Sequence, residues 1–507
     1  MYTFSSKLKT FSFVLMIVGI LGIGYGFLTA PKTIQDVEKI LKEEEAHHGG
    51  GHEAAGHHEA KAESHEAEAK HEEAATHEEV AKTTVDSSAV THEEAVATND
   101  TIAKDTVAVA VATEAHTEKA ETKSESHLDE AAEHAEHVFH QLQNKPWAAL
   151  YVACIFFLLI TMGALAFYGI QQVAQAGWSP VLFRVMQGIT AYLPVGSVIF
   201  FILLLITGTH MFHSNNLFVW MADGITDPTK PNYDHMIAGK SGYLNFPFWI
   251  IRAAIFLGGW NLYRYLSRKN CLAQDEANDN TFYKKNFKMS AAFLVFFIVS
   301  ESIMSWDWIM SVDPHWFSTL FGWYVFASFF VSGITTIQLV TLYLKSKGYL
   351  ENVNSSHIHD LSKFMFGISV FWTYLWFSQF MLMWYSNIPE EVTYFVTRIE
   401  NYNLPFFGMV VMNFVFPLLI LMNADFKRLQ WVVVMAGIVI LAGHYVDFFN
   451  MIMPATVGDQ WFIGVSEISS VLFFAGLFIY VVFTALTKAP LASDGNPYIE
   501  ESKHFHY

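Results

Sequence analysis

Two patterns divide the chain. Ten stretches are apolar almost throughout, at about 11–28, 148–170, 182–208, 246–265, 288–306, 320–344, 364–385, 406–423, 429–449 and 467–487. A helix of about twenty apolar residues spans the ~30 Å hydrocarbon core of a bilayer. The pattern therefore predicts an all-α polytopic membrane protein with about ten transmembrane helices. Between the first and second stretches lies a different kind of sequence. Residues 31–145 are mostly Ala, Glu, His, Thr and Lys, with recurring units such as HEEAATHEE and GHEAAGHHEA. So few large apolar side chains cannot offset the entropy of ordering, and most of this insert reads as a disordered or fraying-helix spacer.

Four regions follow: an N-terminal segment 1–30, the acidic insert 31–145, a nine-helix membrane domain 146–490 and a tail 491–507. The first segment reads as a retained anchor; Thr29-Ala30 could also end a signal peptide. Orientation comes from the basic residues. With the N-terminus in the cytoplasm, the inner flanks hold fifteen Lys and Arg, from Lys7 to Lys503. The outer loops after the insert hold three: Lys230, Lys240 and Arg398. The positive-inside bias places both termini in the cytoplasm of a bacterial inner membrane and the insert on the periplasmic side.

Charge and cysteine content narrow the chemistry. The net charge of −18 is local. The insert holds 27 acidic and 10 basic residues, which leaves the rest of the chain at −1. It also carries 14 of the 23 histidines, but no spacing among them fixes a metal site. Nothing in the chain points to nucleic acid. Cys154 and Cys271 lie far apart, which excludes an iron–sulfur cluster or a covalent haem on this chain. A b-type haem needs two facing histidines, and only His444 lies inside a span, with His210 at the edge of another.

The densest candidate chemistry is the stretch SESIMSWDWIMSVDPHWFSTLFGWY, residues 300–324. Glu301, Asp307, Asp313 and His315 stand there among Trp306, Trp308, Trp316 and Trp323. Intramembrane ionisable groups need a partner, water or a task. They read either as interfacial loop acids or as a proton or quinone site, with Glu301 the deepest. Arg252, in the outer half of the preceding helix, could neutralise one of them. His444 and Asp447 are three residues apart on one helical face, and Glu467 opens the last span at about the same depth. Asp307 precedes Pro314 by seven residues, as Asp447 precedes Pro454. The inner half reads as barer, with Arg184, Gln187 and Gln338 its main polar residues.

The segment WDWIMSVDPHWFSTLFGWYVFASFFVSG, from Trp306 to Gly333, resembles the ActF-type membrane subunits of bacterial alternative complex III. These belong to the wider polysulfide-reductase-like (NrfD-type) family. The resemblance implies two four-helix bundles flanked by peripheral helices. It implies a subunit without metal or haem and without catalytic residues of its own, a quinone being a possible ligand. The expected partners are an iron–sulfur subunit, a multihaem cytochrome c, a sister NrfD-type subunit and a terminal oxidase, with proton conduction as a proposed task. The His/Asp pair of the sister subunit has no match here, where GTHMFHSN offers His210 or His213 and FWIIRAAIFLGGW offers Arg252. The alternative reading is a secondary transporter with an outward-facing acidic site, for which Pro194 and Pro417 are the only prolines well inside a span.

Overall fold

The computed structural model describes the backbone of residues 1–48 and 114–506, apart from His210 and His213. The spacer reading of the insert falls largely outside the described residues, as do the two histidines considered as stand-ins. Two compact units are present: residues 1–37 with 135–507, and residues 38–134. In the second unit the described backbone is helical, formed by the end of α2 (Ile34–His48) and the start of α3 (Glu114–Val173). α3 runs without interruption through Pro146.

All ten apolar stretches are helical, and no strand occurs among the described residues. Beside α3 they form α1 (Ser6–Thr29), α4 (Phe183–Ile189) with α5 (Tyr192–Gly208), α7 (Phe246–Glu276) and α8 (Thr281–Trp308). Next come α9 (Phe321–Ser346), α10 (Ser355–Ser386), α12 (Asn403–Val410) with α13 (Phe416–Leu421), α14 (Gln430–Val457) and α15 (Val465–Leu486). Short helices α6 (His235–Lys240), α11 (Pro389–Glu400) and α16 (Ile499–Lys503) lie in the connections and the tail. Among the described residues, nine helical segments are long and apolar enough to cross a membrane. The tenth expected span, α7, falls outside that group because Arg252 and Asn261 dilute its apolar run. The chain is an all-α polytopic membrane protein.

Burial follows the same logic. α3 and α9 are central: 94% and 89% of their most apolar windows are buried inside the protein. The outer helices turn large side chains outward instead, among them Ile251, Ile255, Val295, Ile298, Phe377 and Leu419. Apolar surface on that scale suits lipid, not water. The two central helices approach closely because glycine faces glycine. A Cβ on Gly163 would lie 2.3 Å from the carbonyl oxygen of Phe329, and one on Gly333 would lie 2.5 Å from the backbone nitrogen of Ala164. In lipid, where apolar burial gives little drive, such small-residue contacts supply the van der Waals packing between helices.

Two spans are interrupted. The stretch 180–208 breaks at Thr190–Ala191, and Pro194 sits in the first turn of α5. The other break is a π-helical turn, Val411–Val415, between α12 and α13, with Pro417 two residues beyond it. Proline has no N–H to give to the carbonyl four residues earlier, so the helix widens there.

Gly333→Ala is expected to destabilise the α3–α9 contact by ~1–3 kcal/mol through overpacking against immobile backbone. Thermal unfolding in detergent, compared with Gly408→Ala where a Cβ meets nothing within 4 Å, measures the difference.

Candidate functional site

Two buried carboxylates organise two polar centres. The first is Asp307 at the end of α8, fully buried. Arg252 of α7 grips it bidentately, Nε to Oδ2 at 2.6 Å and Nη2 to Oδ1 at 2.9 Å. The Tyr243 hydroxyl donates to Oδ1 at 2.7 Å. The backbone at this point is also held, since Trp249 Nε1 and Ser311 Oγ both donate to the Asp307 carbonyl, at 2.8 and 2.6 Å. The guanidinium lies between the rings of Tyr243 and Phe248, 4.1 and 4.2 Å from their centroids. Every charge in this centre has its counter-charge, so Arg252 does neutralise one of the acids, and that acid is Asp307.

A pocket of about 380 Å³ lies beside this centre, lined in part by Lys240, Tyr243, Trp306, Asp313, Trp316 and Phe317. Tyr243 both lines the pocket and touches Asp307, so its hydroxyl connects the two. Burial, and then the negative Asp307, push the Tyr243 hydroxyl well above the usual phenol range. Lys240 donates to the Pro314 carbonyl at 2.5 Å. Burial pulls its ammonium below the usual lysine value, against the opposing pull of Asp313 and Asp234.

The second centre is built from four membrane helices. Asp447 of α14 is fully buried. It accepts from Tyr324 and Ser328 of α9 and from Trp372 of α10; the Ser328 and Trp372 contacts are 2.8 Å each. His444, one turn earlier on α14, places Nδ1 3.5 Å from Asp447 Oδ2 and 2.9 Å from Ser328 Oγ. Asn413, inside the π-helical turn, reaches the same Nδ1 at 3.4 Å. The imidazole stands perpendicular to the Trp372 ring with centroids 5.4 Å apart, and its Nε2 is buried without a hydrogen-bond partner. Gly443 allows this approach, because a Cβ there would lie 2.1 Å from Asn413 Oδ1. Beside Tyr324, a small cavity with room for about one water is bounded in part by Gln379, Tyr394, Arg398 and Asn450. Arg398, counted from sequence among the outer-loop charges, is buried. It donates to the carbonyls of Tyr394, Asn450 and Met451 at 2.7, 3.0 and 3.4 Å.

The other candidates stand apart from these centres. Glu301 is buried, with Oε1 accepting from Ser302 at 2.8 Å and Oε2 unpartnered. Asp313 is half-buried in the pocket wall. His315 is about half exposed and meets Asp234, the N-cap of α6, at 2.5 Å. Glu467 accepts the Gly464 N–H at 2.9 Å and so caps α15; it makes no hydrogen bond to His444 or Asp447.

Sequence reasoning named Arg184 and Gln187 in the half it read as barer, but missed the cluster they belong to. The buried Tyr168 hydroxyl is shared by Gln172, Gln187, Ser267 and Asn286, each 3.1 Å away, and Arg184 pairs with Asp275 nearby. No spacing signal betrays it, because its members are single polar residues on α3, α4, α7 and α8. Among the described residues no group of three or more His, Cys, Asp or Glu is placed to hold a metal ion. A scan of protein-family models finds none that matches the chain, and a search of curated proteins finds no match either.

Asp307→Asn is expected to destabilise the fold by ~3–5 kcal/mol, because it strands a buried guanidinium. Adding Arg252→Met should recover much of the loss, and scanning fluorimetry of the three variants checks both. The Asp234 carboxyl is held below its usual value, first by the Ile237 N–H and then by His315. Its cap on α6 is therefore present above the unfolded carboxylate pKa near 4 and lost as pH falls through the lower folded value. Hydrogen exchange at Met236 and Ile237 should accelerate over that window beyond the intrinsic trend.

Proposed function

We propose that this chain is a cofactor-free integral membrane subunit of a respiratory quinol:electron-acceptor oxidoreductase of the alternative complex III type, and that its buried polar groups conduct protons. In this reading α3, α4–α5, α7 and α8 form one four-helix bundle and α9, α10, α12–α13 and α14 form the second. α1 and α15 are peripheral. Iron–sulfur and haem centres belong to partner subunits, since no residue of this chain accepts an electron at a quinol potential. Both termini face the bacterial cytoplasm, and Asp307 and Asp447 stand near the outer surface.

The observation that carries the proton reading is the contrast between the two buried aspartates. A structural carboxylate in a low-dielectric interior is neutralised by a fixed cation, as Arg252 neutralises Asp307. Asp447 has neutral donors and one imidazole, itself a group that binds and releases a proton. The two groups are in contact, and the free Nε2 leaves the pair open to a further partner. Polar side chains continue from it along α9 through Ser332, Thr335, Thr336 and Gln338, all buried. Thr335 Oγ1 and Gln338 Oε1 have no protein partner, which suits transient water.

A secondary transporter draws support from one feature, the interrupted spans 180–208 and 403–421, because transporters expose backbone at such breaks. Purification under mild conditions separates the readings: haem and iron–sulfur absorbance travelling with the chain supports the oxidoreductase, and a chain free of both supports the transporter.

In the assembled complex, Asp447→Asn is expected to lower proton movement coupled to quinol oxidation by about 10²-fold. Rearranged donors should cost ~1–3 kcal/mol of stability. Glu301→Gln, whose carboxyl has Ser302 as its one hydrogen-bond partner, should leave assembly intact and reduce coupled proton movement. Unchanged coupling in both variants, measured with a pH-sensitive dye in proteoliposomes, would rule out conduction through these residues.

A further inference from the structure

An open groove of about 510 Å³ runs between α5 and α7, lined by Val198, Phe201 and Ile202 on one side and by Ala254, Leu257 and Gly258 on the other. That volume falls within the ~300–1,000 Å³ typical of ligand pockets. Its walls are apolar, and Val198 and Ile202 are exposed. Gly258 leaves its floor open, since a Cβ there would meet nothing within 4 Å. The two helices are tied at one point along it, where Asn261 Nδ2 donates to Ser197 Oγ at 2.9 Å.

The charge on the groove is confined to one end. Arg264 lines it there, with Nε buried and without a hydrogen-bond partner. Arg268 follows one turn later on α7, and like charges at that spacing repel. Neither arginine lies within ion-pair distance of a carboxylate among the described residues. Of the carboxylates of this end, Asp275 pairs with Arg184, Asp279 accepts from Thr281, and the exposed Glu276 at the end of α7 makes no ion pair with either arginine. Lys284, Lys285 and Lys288 open α8 at the same end. The site therefore lacks an anion.

Length identifies the occupant. From Ala254 to Arg264 is ten residues of helix, about 15 Å, or half of a ~30 Å hydrocarbon core. The groove thus offers one leaflet's depth of apolar wall ending in the Arg264 guanidinium. A partner helix would need apolar surface across the full bilayer and would gain nothing from a charged stop halfway along α7. We propose that this groove is a binding site for one anionic phospholipid, its acyl chain lying over Gly258 and its phosphodiester held by Arg264. Basic pockets between transmembrane helices recognise acidic headgroups in this way. Positive-inside charge assigns the site to the cytoplasmic leaflet. The site depends on the membrane placement of α5 and α7, and not on the quinol oxidoreductase reading.

The test is native mass spectrometry of the full chain, with any subunits that accompany it, released from detergent after incubation with phosphatidylglycerol or phosphatidylcholine of matched acyl chains. One phosphatidylglycerol should be retained in preference to phosphatidylcholine. Arg264→Gln should weaken its retention about fivefold. Gly258→Trp should abolish retention of both lipids by filling the floor. Should Gly258→Trp fold poorly, Gly258→Leu with a fluorescent phosphatidylglycerol gives the same readout. Equal retention of the two lipids, retention unaffected by either substitution, or a quinone or a partner helix occupying the groove in the assembled complex would each overturn the assignment.

Discussion

A full charge inside a membrane protein persists only where the protein itself answers it, and the Arg252–Asp307 pair is where this chain meets that constraint. The pair joins α7 to the end of α8, and the same aspartate's carbonyl takes hydrogen bonds from Trp249 and Ser311. Tyr151 of α3 then donates to the next carbonyl, that of Trp308, at 2.8 Å, and the Trp308 ring packs against Phe200 of α5 at 4.8 Å. Four helices thus meet around two consecutive residues. Without the guanidinium, the α8 terminus would bury a bare carboxylate and the convergence would have no reason to hold.

The second centre solves the same problem with other means. Tyr324, Ser328 and Trp372 provide neutral donors to Asp447, and His444 provides a group whose charge depends on its proton. Distributed neutral donors can satisfy a carboxylate's lone pairs without fixing its protonation state, whereas a permanently charged arginine fixes it. Each aspartate lies seven residues before a proline, but Asp307 closes α8 with Pro314 beyond the helix, whereas Asp447 lies inside α14, which continues through Pro454. The two positions differ in backbone setting and in partners. That difference separates a carboxylate fixed by a permanent cation from one held by neutral donors and an imidazole.

Legibility in the sequence followed the physics. Transmembrane helices declare themselves through length and apolarity, so each of the ten stretches is helical. Asp307, His444 and Asp447 were visible because one ionisable group in an apolar run is conspicuous, and i, i+3 spacing places two on one face. Their partners were mostly invisible. Tyr324, Ser328 and Trp372 are ordinary membrane residues whose role arises only when α9 and α10 pack against α14. The Tyr168 cluster was hidden for the same reason. Arg398 misled in the opposite direction: it lies in a connection between spans, yet α11 folds it inward until its guanidinium sits 3.3 Å above the Tyr394 ring. Charge counting by loop cannot register such folding back.

The interrupted helix shows how local backbone chemistry reaches the second centre. Pro417 cannot donate to the carbonyl of Asn413, and the widened turn over Val411–Val415 absorbs the missing bond. A wider turn shifts the side chains it carries, which brings Asn413 to His444. Gly443 then becomes necessary, because any side chain there would occupy the position of the Asn413 amide. A proline, a glycine and an asparagine on two helices thus jointly set the surroundings of one imidazole. None of the three titrates, and each acts on the site through shape.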